Sequence, residues 1–280
     1  MRCLRTWCLA GLLLPLSVYA EVAGDKHDHV AVDDWGFDLA LGYAAIETPL
    51  RQRDSFESFV LPQWYYYGER FYIENLQLGY TLLETDTFII DVVGYLNDDG
   101  LLFNTDKQRL NYLDISKYIP NVGFPLQGKM DLRDIKRDLS YMAGVEFTAI
   151  TPFADLSWRA ARDITEGNGG IEYRLAAKQR YTFNRLKLFW EAGAVMKNAE
   201  LNNYYYGLRS EESGRRRDVL VTDRSLNNYY LQLAATYQLT SDLSWVVSVN
   251  QTWINHQLLD SPLLEKDNYL SGFIGFNLHF

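Results

Sequence analysis

Apolar and polar residues alternate with a period of two from residue 35 to the last residue of this chain. Along residues 269–280, Leu270, Ile274, Phe276, Leu278 and Phe280 keep one parity, with Gly272 in step. Ser271, Gly275, Asn277 and His279 fall on the other, together with Tyr269 and Phe273. Alternate side chains of a strand point to opposite faces, so this pattern predicts a strand with one greasy and one wetter face. Near the front, Trp35, Phe37, Leu39, Leu41 and Tyr43 oppose Gly36, Asp38, Ala40, Gly42 and Ala44. A second strand covers Phe56–Tyr67, irregular around Pro62, and a tight turn near Gly68 leads to a short Phe71–Glu74 piece. Leu76, Leu78, Tyr80 and Leu82 then oppose Gln77, Gly79 and Thr81, and Phe88, Ile90 and Val92 oppose Asp91.

Beyond a polar stretch over 97–137 the pattern is cleaner. Tyr141, Val145 and Phe147 oppose Gly144, Glu146 and Thr148; Leu156 and Trp158 oppose Asp155, Ser157 and Arg159. Tyr173, Leu175 and Tyr181 oppose Glu172, Arg174, Lys178 and Arg180, and Leu188 and Trp190 oppose Lys187, Glu191 and Lys197. Tyr229, Leu231 and Leu233 oppose Asn228 and Gln232; Trp245, Val247 and Val249 oppose Ser244, Ser248 and Asn250. The polar faces carry charges in mid-strand while the apolar faces carry almost none. Connections near 85–86, 151–152, 184 and 241–242 are short, whereas 97–137, 164–170, 198–226 and 256–267 are long. Short turns at one end and long loops at the other are the arrangement of an outer-membrane barrel. The chain is therefore expected to be all-β, a closed antiparallel transmembrane β-barrel of about 12 strands over 35–280. The short turns would lie in the periplasm and the long loops outside.

The leader fits that destination. Residues 1–20 place Arg2 and Arg5 before an apolar run, with Val18 and Ala20 before a cut, as in a secretory signal peptide. Residues 21–34 are polar and acidic, a periplasmic lead-in; His27 and His29 there lack the apolar surroundings that would fix metal geometry. Both cysteines, Cys3 and Cys8, lie in the leader, so the mature chain has neither disulfides nor thiolate metal sites. Removing the leader leaves 25 basic residues against 36 acidic ones, a net charge of −11. That excludes nucleic acid as a partner, because a phosphate backbone asks for a positive footprint. Past residue 20 no apolar run reaches 18 residues, so no transmembrane helix is predicted. Twenty tyrosines and seven tryptophans suit the aromatic girdles of a barrel.

Candidate chemistry is sparse. Past the lead-in the histidines are His256 and His279, with no serine or aspartate at the spacing that a barrel phospholipase or aspartyl-type protease uses. Asp98-Asp99-Gly100 lacks the alternating oxygen ligands of a calcium loop. No enzyme activity, metal or cofactor is expected. The inward charges Glu146, Arg159, Glu172, Arg174, Lys178, Arg180, Lys187 and Glu191 are expected to line the lumen. Basic residues gather on one wall, while Asp38, Glu74, Asp91, Glu146, Asp155 and Asp163 face them from the other, with Arg159 the main exception there. Such walls either set a transverse field across a water-filled bore or meet as salt bridges that close it. Arg215, Arg216 and Arg217 form a solvated patch balanced by Glu211 and Glu212, or else a contact for lipopolysaccharide phosphates. Tyr204, Tyr205 and Tyr206 read as packing at the barrel mouth more simply than as a ligand cage.

Two resemblances add to this. The closing strand resembles that of outer-membrane barrels, which implies that Phe276, Leu278 and Phe280 belong to the signal read by the barrel-assembly machinery. Residues 202–213, NNYYYGLRSEES, resemble the YYYG-x-x-x-x-E-S loop of the MipA/OmpV family, carried here by Tyr204, Tyr205, Tyr206, Gly207, Glu212 and Ser213. Leu239-Thr240-Ser241-Asp242-Leu243, then Asp260-Ser261-Pro262-Leu263, continue the likeness, which covers most of 35–280. It implies a non-enzymatic protein of the Gram-negative outer membrane, among its lipid and lipopolysaccharide. The implied role is a scaffold for a lytic murein transglycosylase and a murein synthase. A narrow channel for small solutes, and a surface adhesin, stand as alternatives; twelve strands leave a bore wider than an eight-stranded barrel and narrower than a porin.

Overall fold

The computed structural model describes residues 33–104, 132, 135–165, 169–213 and 216–280. The signal peptide and most of the lead-in, Arg215 and much of the 97–137 stretch lie outside them. Twelve antiparallel strands close into one barrel, each hydrogen-bonded to its sequence neighbours and the last to the first. In order they are β1 Asp34–Ile46, β2 Phe56–Tyr67, β3 Phe71–Glu74, β4 Gln77–Glu84, β5 Phe88–Leu96 and β6 Tyr141–Ala149. There follow β7 Asp155–Asp163, β8 Ile171–Phe183, β9 Leu186–Lys197, β10 Leu226–Gln238, β11 Leu243–Trp253 and β12 Asn268–His279. β1 begins one residue before the expected start, and the strand count is the expected one.

The outward parity carries large apolar side chains open to the lipid, among them Leu175, Leu233, Ile274, Phe276 and Phe280. In hydrocarbon every backbone polar group needs a partner within the protein, and closure supplies it by removing the sheet edges. β1 pairs with β12 from Asp38 opposite His279 to Ile46 opposite Ser271. The Phe280 N–H donates to the Phe37 carbonyl at 3.0 Å, and His279 Nδ1 lies 2.7 Å from Asp38 Oδ1.

In two places the chain departs from the expected pattern. Short and long connections do not alternate throughout, because β3 joins β4 through Asn75 and Leu76 alone. Asn75 turns the chain at a φ of 54°, a left-handed conformation that asparagine tolerates well. The long outer stretches are also not loops throughout. Helix α1, Asp98–Asn104, follows β5; α2, Ala199–Tyr206, and the single turn α3, Ser210–Ser213, follow β9; a 3-10 helix spans His256–Asp260. Leu102 and Phe103 of α1, Leu201, Tyr205 and Tyr206 of α2, and Leu258, Leu264, Leu50 and Ile135 pack into one apolar cluster. The chain thus builds a core at the outer mouth, where the polar count of 97–137 concealed the adjoining Leu101, Leu102 and Phe103.

Candidate functional site

The site assembles where α1 enters the mouth of the barrel. Asn97 caps the helix, its side-chain oxygen accepting the Asp99 N–H at 3.0 Å, so the first turn presents Asp98 and Asp99. Both carboxylates point to basic residues on the lumen wall. Asp98 lies 3.2 Å from Arg174 of β8, and Asp99 2.6 Å from Lys197 of β9, both side chains of the latter pair being buried. The Tyr206 hydroxyl of α2 donates to the other Asp99 oxygen at 2.9 Å. One aspartate therefore ties α1 to a strand and to a second helix.

Below this latch the interior charges pair with their neighbours. Arg159 of β7 forms an ion pair with Glu146 of β6 and lies over the Tyr95 ring at 4.7 Å. Buried Glu172 accepts from the Tyr95 hydroxyl at 2.9 Å and from Asn97 Nδ2 at 3.3 Å. Arg174 lies 5.1 Å above the Tyr230 ring, and the Tyr230 hydroxyl donates to Glu191. Lys178 stands in register with Asp155 on one side and Glu191 on the other. Arg180 and Lys187 lie at the exposed periplasmic end of the lumen. Of the two arrangements open from sequence, pairing is seen at Arg159, Arg174 and Lys197. The partners are not the opposite wall, however: Glu146 comes from the adjacent strand, and Asp98 and Asp99 come from a helix. A cavity of about 270 Å3 remains between α1 and the wall of β8 to β12, lined by Arg174, Glu191, Lys197, Tyr230, Asn250 and Tyr269, among others.

The tyrosine-rich loop forms the second half of the site. Asn198 caps α2, accepting from the N–H groups of Leu201 and of Ile171 and so fixing the helix to β8. Tyr205 and Tyr206 are fully buried, and the Tyr205 hydroxyl donates to Ser140 Oγ at 3.0 Å. Burial, and next the Asp99 charge, push the Tyr206 hydroxyl well above its ordinary range, so it stays a proton donor. A Cβ on Gly207 would stand 2.5 Å from the Asn203 carbonyl oxygen, so that position has room for glycine only. Its own carbonyl accepts from Arg137 Nη2 at 2.7 Å, and the same guanidinium is forked onto Glu212, with Nη2 to Oε2 at 2.9 Å. Burial pushes the Glu212 carboxyl up. The Arg137 hydrogen bond, the Arg209 backbone N–H and both guanidinium charges outweigh that and hold it below its ordinary range. Ser213 closes the turn of α3 through its N–H to the Arg209 carbonyl at 3.0 Å.

Gly207 and Glu212 thus meet at Arg137, a fully buried residue that sequence reasoning left inside the charged 97–137 stretch. Arg216 and Arg217 are exposed beside this loop. Phe276 and Phe280 lie on the lipid face of the closing strand, with Leu278 half-buried between them. His256 sits on the surface with Nδ1 3.4 Å from Asp267 Oδ2.

The family model described as MltA-interacting protein MipA matches residues 39–280. The MltA-interacting protein of Escherichia coli strain K12 is 26% identical over 240 residues, covering 85% of this chain and 87% of that one. YiaT of the same strain, which carries the name of an outer membrane protein, is 22% identical over 244 residues, 86% of this chain and 90% of that one. Among solved structures, the trimer form of in-vitro folded OmpT, an outer membrane protein of Vibrio cholerae, is 10% identical. It covers 89% of this chain and all of its own, with a TM-score of 0.38. With the family model spanning all but the first strand's leading residues, the chain belongs to the MltA-interacting protein MipA family of outer-membrane β-barrels.

Proposed function

We propose that this barrel is a non-enzymatic anchor that holds a lytic murein transglycosylase, and with it a murein synthase, at the inner face of the outer membrane. Residues 1–20 export the chain, and the closing strand with Phe276, Leu278 and Phe280 hands it to the barrel-assembly machinery. The observation that supports an anchor over a channel is the latch at the mouth, where Asp99 of α1 is held by both Lys197 of β9 and Tyr206 of α2. A buried ion pair joined to a buried hydroxyl is hard to open, because separating it leaves each partner uncompensated away from water. The choice of partner enzyme rests on the family, whose Escherichia coli relative is named for an interaction with MltA. At the outer rim, exposed Arg216 and Arg217 are offered to lipopolysaccharide phosphates, which suit planar guanidinium groups.

The cavity under α1 favours a second reading, a narrow solute channel gated by that helix. Two measurements on the folded full-length barrel separate them. The anchor predicts saturable binding of a purified lytic transglycosylase in detergent and silence in planar bilayers. Steady single-channel openings without enzyme binding would replace it with the channel.

A further inference from the structure

The barrel wall is incomplete on its outer side between β2 and β4. β2 has 12 residues, enough to cross the membrane, but β3 has four. At about 3.3 Å per residue β3 reaches roughly 13 Å, half of the roughly 25 Å apolar band of such barrels. It pairs with Tyr65, Tyr66 and Tyr67 only, at the periplasmic end of β2. Among the described residues, the 56–63 portion of β2 pairs with β1 and with no strand on its other side. The wall therefore carries a notch in its outer half, bounded by the free edge of β2 and floored by the Asn75-Leu76 turn.

A free strand edge in hydrocarbon exposes unpaired N–H and C=O groups, which lipid does not solvate. Here part of the edge is satisfied from within. The Ser58 hydroxyl donates to the Val60 carbonyl at 2.8 Å and accepts from the Val60 N–H at 3.4 Å. Pro62, the next residue of that parity, has no N–H to satisfy, as suits a proline on a strand edge. The Trp64 N–H donates to the Asn75 side chain at 3.0 Å, and its carbonyl accepts from the Asn75 N–H at 2.9 Å. On the floor, the Tyr141 hydroxyl donates to the Leu76 carbonyl at 3.3 Å. Apolar side chains at the notch are open, with Phe59 67%, Val60 48% and Leu76 58% exposed; the exposed Glu57 carboxylate above Phe59 accepts from the Tyr43 hydroxyl at 3.0 Å.

These two observations select the occupant. A partner strand would need the Val60, Pro62 and Trp64 donors, of which two are engaged and one does not exist. Water would find few groups to bind. We propose that the notch seats an acyl chain of a lipid of the outer leaflet, entering the wall sideways against Phe59, Val60 and Leu76. This does not depend on which enzyme the barrel docks.

The test reconstitutes the full protein in phosphatidylethanolamine–phosphatidylglycerol vesicles containing phosphatidylglycerol with a diazirine in one acyl chain. Adducts are mapped by mass spectrometry after irradiation. Expected are adducts concentrated at residues 58–62 and 76–77, above those on the ordinary lipid-facing residues Leu175 and Leu233. Leu76→Trp, which fills the notch, and Val60→Trp, which narrows it, should each remove the excess, while Leu175→Trp should not. Heat-modifiable migration in electrophoresis shows that each variant is folded. Even labelling over the whole outer face overturns the proposal. So does an excess that survives in both folded notch variants, or a second polypeptide crosslinked to β2 in place of lipid.

Discussion

Replacing Asp99 with alanine should loosen the whole cap, and the size of the effect follows from what the carboxylate holds. Asp99 is 4% exposed, Lys197 4% and Tyr206 fully buried. Removing one member of a buried ion pair costs about 3–5 kcal/mol, because the surviving charge keeps its desolvation penalty without its partner. A buried hydroxyl left without an acceptor costs about 1–3 kcal/mol more. The two losses share one atom group and do not simply add. Glu172 also acts on the Lys197 charge and softens the first loss. We expect Asp99→Ala to lower the unfolding free energy by about 3–5 kcal/mol in urea denaturation of the detergent-solubilised barrel. The double variant Asp99→Leu with Lys197→Met removes both charges; it strands the Tyr206 hydroxyl and takes the Lys197 charge from Glu172, which keeps its Tyr95 and Asn97 hydrogen bonds, so the loss should fall to about 1–3 kcal/mol. In planar bilayers Asp99→Ala should show openings that the parent does not. If the single variant stays within about 0.5 kcal/mol of the parent, the size of an ordinary surface change, and remains silent, α1 is not held by this latch.

Two further outcomes follow from the cap and the wall. The Glu212 pKa is depressed in the folded state, so its contribution is complete above its ordinary value of 4.5 and is lost as pH falls through the lower folded value. Amide exchange of α2 and α3 should stay slow down to about pH 4.5 and quicken below it in the parent, whereas Glu212→Gln should be quick at neutral pH; loosening near pH 6 would contradict the clamp. Leu175 faces lipid with 59% of its surface open, so Leu175→Arg should cost about 2–4 kcal/mol if it lies near the midplane. A cysteine there should resist a water-soluble thiol reagent that modifies one at Lys178; equal modification would reverse the inside and outside of β8.

The strands were legible because lipid on one side and a charged interior on the other force a two-residue period on every spanning segment. Even β3 was visible as Phe71–Glu74, although its consequence for the wall was not, because length alone does not say which part of β2 is left without a neighbour. The helices of the cap were harder. Asn97-Asp98-Asp99 before Leu101, Leu102 and Phe103 is a capped acidic first turn with an apolar face, yet the surrounding charges drowned it in a polar average. Arg137 could not be singled out, since its partner Glu212, although part of the loop motif, lies 75 residues away and nothing local marks Arg137 itself. The interior charges were read from sequence as facing the lumen, and the partners of Arg174 and Lys197 depend on where α1 folds, a contact between distant parts of the chain.

The way the bore is filled explains how the barrel tolerates a missing piece of wall. Inward tyrosines lie across glycines of the adjoining strand: a Cβ on Gly36 would fall 2.5 Å from the Tyr65 ring, on Gly79 1.9 Å from Tyr72, and on Gly193 2.5 Å from Tyr230. Each ring occupies space that any other residue on the next strand would claim; the Tyr230 hydroxyl also reaches Glu191, as that of the inward Tyr95 reaches Glu172. Guanidinium groups then stack on the same rings, Arg159 on Tyr95 and Arg174 on Tyr230. Glu146–Arg159 and Glu191–Tyr230 join adjacent strands, while Tyr95 of β5 reaches Glu172 of β8, three strands along the wall. A barrel filled by contacts reaching from wall to opposite wall would lose its packing if one wall were cut short. This one ends β3 after four residues and keeps Tyr72 seated over Gly79 on β4 and Tyr67 hydrogen-bonded to Glu74 of β3, so the shortened strand remains bound on both sides.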